Sequence, residues 1–184
     1  MSRSCENTCS HGAGTTALCQ TIDELEFERG IWTAALDADM DRLQMLITKD
    51  PANVNKVDTN GYTALHYAAR AGHTDVCTVL LEHGASVNAR LRSGDTALHR
   101  ASYMGRDGVV TLLINYKAEC CRGADGQTAL HKAVQQKHLT VAQLLAKEYP
   151  LHLNTADSLG RLPKDLFKYD GVSDTDWQIL LKVS

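Results

Sequence analysis

Cys5, Cys9, His11 and Cys19 crowd the start of the chain and offer the thiolate and imidazole ligands that zinc takes. Their spacing contains neither a C-x-x-C pair nor a second pair, so the competing expectation is a flexible tail with exposed thiols. His66, His99 and His131 recur at intervals of 33 and 32 residues. If each belongs to its own helix layer, neighbours stand roughly 10 Å apart, whereas ligands of one ion lie about 2 Å from it. They cannot share a metal, and each is expected to tie the threonine of its own turn to adjacent backbone. Cys120 and Cys121 are adjacent, with Cys120 expected to be buried and Cys121 not; a vicinal disulfide or redox sensor is the chemical reading of that pair. Cys77 falls on an apolar stripe and reads as core. There is no glycine-rich phosphate loop, nucleophile elbow or Cys/His signature, so the chain is expected to have no catalytic residues and no cofactor.

The elements that position these residues follow from internal repetition. Gly61-Tyr62-Thr63-Ala64-Leu65-His66 returns as Gly94-Asp95-Thr96-Ala97-Leu98-His99 and again as Gly126-Gln127-Thr128-Ala129-Leu130-His131. A degenerate copy starts at Gly160, and one lacking the motif lies upstream, where Ala34-Ala35 and Leu46-Ile47 match Ala68-Ala69 and Leu80-Leu81. In each unit Asp58-Thr59-Asn60-Gly61 or its equivalent is turn chemistry. Thr63 can cap a helix. Leu65, Ala68 and Ala69 form one apolar stripe, Gly72 stops that helix, and Val76, Cys77, Leu80 and Leu81 form the stripe of a second helix ended by Gly84. Helices this short are marginal alone. They persist only when neighbouring units cover their stripes, so the fold class is an all-α repeat solenoid of helix-turn-helix units.

Composition agrees. The 184 residues are 43% hydrophobic but hold only two phenylalanines and two tryptophans, so Ala, Leu and Val must fill the core. Net charge is −3, distributed as −4 over residues 1–57, +2 over 58–138 and −1 over 139–184. That is not the strongly basic footprint of a nucleic-acid binder. No apolar run is long enough to span a bilayer. The polar N-terminus has no apolar h-region, so the expectation is reduced thiols in the cytosol or nucleus.

The T-A-L-H segments, the paired small residues, Gly-His, and the L-L-x-x-G-A-x-V-N stretch resemble the ankyrin repeat family over roughly residues 28–184. Alanine stands at positions 64, 97 and 129 where that family favours proline, and alanine suits the first position of a helix. The resemblance implies β-hairpin-like turns and a non-enzymatic role as adaptor, scaffold or inhibitor. It also implies an unnamed protein partner bound through the turn tips and the inner face of the first helices. Carried over by position, the binding candidates are Tyr62, Tyr67, Arg70, Arg92, Asp95, Arg100, Tyr103, Met104, Gln127 and Lys132. A zinc- or redox-responsive module built on the N-terminal cysteines is the alternative. Leu80, Val87 and Asn88 resemble a pattern hydroxylated at asparagine in some ankyrin repeats, with Ser86 in place of the acidic residue usual there.

The expected organisation is a disordered tail over 1–20 and a monomeric repeat domain over 21–184, with units 21–57, 58–90, 91–122, 123–155 and 156–184. Phe27, Ile31 and Trp32 should give the first unit an aromatic edge, and a capping box from Thr21 to Glu24 should open a helix near Ile22. Trp177, Ile179, Leu180 and Leu181 should close the stack. The unit 91–122 departs from the rule: it is one residue short, Gly108 falls inside its second helix, and Lys117 stands where Gly84 stands one unit earlier.

Overall fold

The computed structural model describes residues 30–167. The N-terminal Cys/His cluster, Phe27, the Thr21–Glu24 capping box and the apolar segment around Trp177 lie outside the described residues. Within them the chain forms α1 (Ile31–Leu36), α2 (Met40–Lys49), α3 (Ala64–Ala71), α4 (Thr74–Glu82), α5 (Ala97–Tyr103), α6 (Asp107–Asn115), α7 (Ala129–Gln135), α8 (Leu139–Glu148) and α9 (Pro163–Phe167). Short 3₁₀ turns, Pro51–Asn55 and Pro150–Asn154, follow α2 and α8.

Consecutive helices pair, and the pairs stack in chain order. The first helices pack closely on one another, whereas the second helices touch their neighbours more sparsely. Side-chain size explains the difference. Ala34, Ala35, Ala68, Ala69, Ala101 and Ala133 are buried along the first row, while Val76, Leu80, Val110, Leu113, Val141 and Leu145 fill the second. Interaxial distance follows the residues at the contact, so the first row is drawn together and the face that it presents is concave.

Thr63, Thr96 and Thr128 each open a first helix with a capping box in which the third helical residue is a histidine. A threonine cap contributes about 1 kcal/mol to its helix. Gly72 ends α3 at φ +96°, as its position demands. The turns between units close tightly: Asp58 N–H donates to Tyr62 O (3.0 Å) and Leu91 N–H to Asp95 O (2.8 Å), with the same bonds at Gly123 and Asp157. They join laterally where Ala124 N–H donates to Ser93 O (2.8 Å) and Ser158 N–H to Asp125 O (3.1 Å).

Lys117 is left-handed, at φ +61°, as its alignment with Gly84 implies. Gly108 falls inside α6, as its second residue, and an added Cβ there would meet Thr74 Oγ1 of the preceding unit at 3.3 Å. Ile31 and Trp32 are buried in the first unit, where Trp32 Nε1 donates to Lys56 O (3.1 Å) and the Lys56 ammonium lies over the indole.

Candidate partner-binding face

The three repeated histidines are internal struts. The backbone N–H of Thr63, Thr96 and Thr128 donates to Nδ1 of His66, His99 and His131 respectively, each at 3.2 Å. An Nδ1 that accepts fixes the neutral tautomer with its proton on Nε2. That proton is donated to the next unit: His99 Nε2 to Gln127 O (3.3 Å) and His131 Nε2 to Arg161 O (3.2 Å). His66 Nε2 lies near the backbone of Ala89 and Asp95 without closing a hydrogen bond. Burial holds all three imidazoles neutral, with His66 lowered to about 4. The expected link from the threonine of each turn to adjacent backbone is therefore found at His99 and His131, and only its first half at His66.

The cysteines behave as packing groups. Cys77 and Cys120 are buried and Cys121 is half-exposed, and all three are free thiols. Burial pushes Cys77 up to about 12 and Cys120 up to about 11, and burial also raises Cys121, opposite to what a thiolate nucleophile needs. Cys121 borders a groove of about 570 Å³ between the loops after α6 and α8, with Lys117, Glu148, Tyr149 and His152. Among the described residues no three His, Cys, Asp or Glu side chains converge as metal ligands.

Aromatic and charged side chains meet instead on the concave face. Arg100 of α5 reaches back one unit, where its Nη2 donates to Tyr62 OH (2.7 Å) and its guanidinium lies 5.3 Å from the Tyr62 ring. The same Nη2 stands 3.6 Å from Asp95 Oδ2. Tyr62 and Tyr67 are tilted rings 5.2 Å apart, and Tyr67 OH donates to Asp58 Oδ2 (2.8 Å). Burial, then that hydrogen bond, holds the Tyr67 phenol above the usual range. Two units thus supply one rigid cluster. Beside it Tyr103 is 42% exposed and Met104 half-buried. Arg70 and Arg92 are exposed, and Lys132 pairs with Asp125 Oδ2 at 2.5 Å.

Not every candidate faces outward. Asp95 and Gln127 are only 8% and 6% exposed: Asp95 Oδ2 faces Arg100, and Gln127 Oε1 is buried without a hydrogen-bond partner. Asn88 is half-buried, and its Oδ1 accepts from Glu119 N–H (2.8 Å), clasping one unit to the next. Asn55 makes the corresponding clasp one unit earlier, donating to Gly84 O (2.9 Å) and accepting from Ser86 N–H (2.8 Å). Sequence reasoning missed a second set of struts. His73 Nε2 bonds Leu36 O (2.9 Å), Arg106 Nε donates to Arg70 O (3.3 Å), and His138 Nε2 bonds Tyr103 O (3.1 Å). These residues share one position of the repeat, with Arg106 in place of the histidine found at 73 and 138.

No helix among the described residues is long and apolar enough to cross a membrane. A family model described as ankyrin repeats (3 copies) matches residues 31–124 and 88–157. The chain is 50% identical over 84 residues to human ankyrin repeat domain-containing protein 39, covering 45% of this chain and 44% of that one. It is 52% identical over 67 residues to the Bos taurus protein of the same name, covering 35% of each. It is also 36% identical over 142 residues to a probable E3 ubiquitin-protein ligase, XBOS33, of Oryza sativa subsp. japonica, covering 76% of this chain and 21% of that one. The matches therefore span less than half the length of each of these relatives. Helix pairs, histidine-capped first helices, a concave first row and a family match across most of the described residues agree: the chain belongs to the ankyrin repeat family.

Proposed function

We propose that this chain works by binding a partner protein on the concave first-helix face, as an adaptor, scaffold or inhibitor. The cross-unit cluster of Tyr62, Tyr67 and Arg100 carries the reading. It presents aromatic and guanidinium groups already fixed in place, which lowers the entropy lost on association. Tyr103 and Met104 add exposed and half-buried apolar surface beside it. Aromatic residues, Arg and Met are the types enriched at interface cores. Free thiols at Cys77, Cys120 and Cys121 support a reducing compartment, the cytosol or nucleus.

The test is affinity purification from a native extract, comparing the natural sequence with an Arg100→Ala/Tyr103→Ala variant. Partners that contact the face are lost from the variant, and at least one of the two residues costs about 2 kcal/mol or more in the affinity of the purified pair. If alanine at Tyr67, Arg70, Arg100, Tyr103 and Met104 together leaves affinity unchanged in a folded protein, the surface is wrong.

A further inference from the structure

The geometry points to a short acidic protein segment as the partner of this face, carrying a carboxylate three residues before a large apolar side chain. The inference rests on the concave face being the docking surface and adds the chemistry of what docks there.

Charge is the first observation. The chain carries −3 overall, yet the turns at 58–62, 90–95, 122–127 and 156–161, with the first-helix positions 67, 70, 71, 100, 103, 104, 132, 135 and 136, hold seven Arg or Lys against four Asp. The four aspartates are already engaged. Asp58 accepts from Asn60 N–H, Tyr62 N–H and Tyr67 OH. Asp95 and Asp125 face Arg100 and Lys132, and Asp157 accepts from Leu159 N–H, Arg161 N–H and Arg161 Nε and pairs with Arg161 Nη2. The exposed side chains of Arg70 and Arg92 have no ion pair or hydrogen bond to a described residue, so the face meets solvent as a cation.

Spacing is the second observation. Arg70, Tyr103 and Gln135 occupy equivalent exposed positions of α3, α5 and α7, and so form a row that crosses the stack one residue per layer. Layers of packed helices are separated by about 10 Å, and a chain in the polyproline II conformation advances about 3.1 Å per residue and returns every third side chain to the same face. Three partner residues therefore span one layer. A carboxylate on Arg70 places the third residue onward over Tyr103 and Met104, and the sixth over Gln135. The partner is short because the exposed Arg70, Arg92 and Tyr103 lie within two adjacent units.

A random dodecapeptide display library, selected against the full chain, supplies the probe. Selected peptides are synthesised and their Kd measured by fluorescence anisotropy, with circular dichroism to confirm the fold of each variant. The expected consensus holds Asp or Glu three positions before an aromatic or large aliphatic residue. Arg70→Glu then weakens binding on the order of tenfold, Tyr103→Ala does likewise, and affinity falls as salt rises. No selected binders, a consensus without an acidic residue, or a single-stranded oligonucleotide that binds as tightly as the peptides overturns the inference. If Tyr103→Ala weakens binding while Arg70→Glu and Arg92→Glu do not, the acidic partner is refuted and the docking face stands. If none of the three matters, both readings fail.

Discussion

Replacing Lys117 by glycine should stabilise the protein. Lys117 follows α6 in the left-handed conformation, at φ +61°, and Gly84 holds the same place after α4 at φ +84°. The hydrogen bonds around them coincide. Lys117 N–H donates to Ile114 O (2.9 Å) and Ala118 N–H to Leu113 O (2.9 Å), while Gly84 N–H donates to Leu81 O (3.1 Å) and Ala85 N–H to Leu80 O (2.9 Å). The backbone is therefore shared, and the Cβ is what differs. A residue with a Cβ loses about 1 kcal/mol in this conformation. Glycine's greater freedom in the unfolded chain returns part of that, leaving a net gain of roughly 0.5 kcal/mol. For a chain of this size that raises Tm by about 1–2 °C. The reciprocal change, Gly84→Lys, should lower stability by a similar amount, because a Cβ there meets nothing within 4 Å and only the backbone is strained. Urea unfolding of both variants, with equal m-values, reads the pair. Shifts of the same sign, or a Lys117→Gly variant less stable than the natural sequence, would refute the reasoning.

Hydrogen exchange should find amides 109–114 less protected than 76–81. Cys121 stands where Asn88 clasps the preceding seam, and Tyr149 OH donates to Ala118 O across the groove there; the opposite order of protection would contradict this. Stability should be full above pH 6.5 and fall toward pH 4, since His66, lowered to about 4, stays neutral in the fold while the unfolded imidazole takes up a proton. His99 and His131 shift the same way, His66 alone contributes about 1.4 kcal/mol per pH unit in that window, and urea midpoints that are flat across it would sink the claim. Ser102→Ala should stabilise by about 1 kcal/mol, because the buried Ser102 hydroxyl has no partner and the equivalent Ala69 needs none; thermal melts check the sign.

Much of the fold is legible along the chain because its causes are local. A threonine three residues before a histidine builds a capping box within a single turn of helix. Alanine and leucine stripes at helical spacing decide which faces are buried. The left-handed site at Lys117 is readable because Gly84 marks the same backbone position one unit earlier. Gly108 is readable as a helix residue in the same way, but the closeness of Thr74 to it is not, since Thr74 belongs to the preceding unit.

The candidate face divides along the same line. Its row of exposed first-helix positions follows from the repeat and was readable as Arg70, Tyr103 and their equivalents. Which polar side chains remain free was not. Asp95 and Gln127 occupy tip positions by alignment, yet packing buries them. Arg100 reads as an open cation until its bond to Tyr62, 38 residues earlier, is seen. The struts from His73, Arg106 and His138 to the preceding unit come from two different residue types, and only the packed units show that they do the same job. Sequence determined the period, the caps and the buried stripes, since these depend on residues within a few positions of each other. The tertiary structure alone decided the pairing of charges and the curvature of the face, because both arise from the distance between units, which small side chains in the first row and large ones in the second set together.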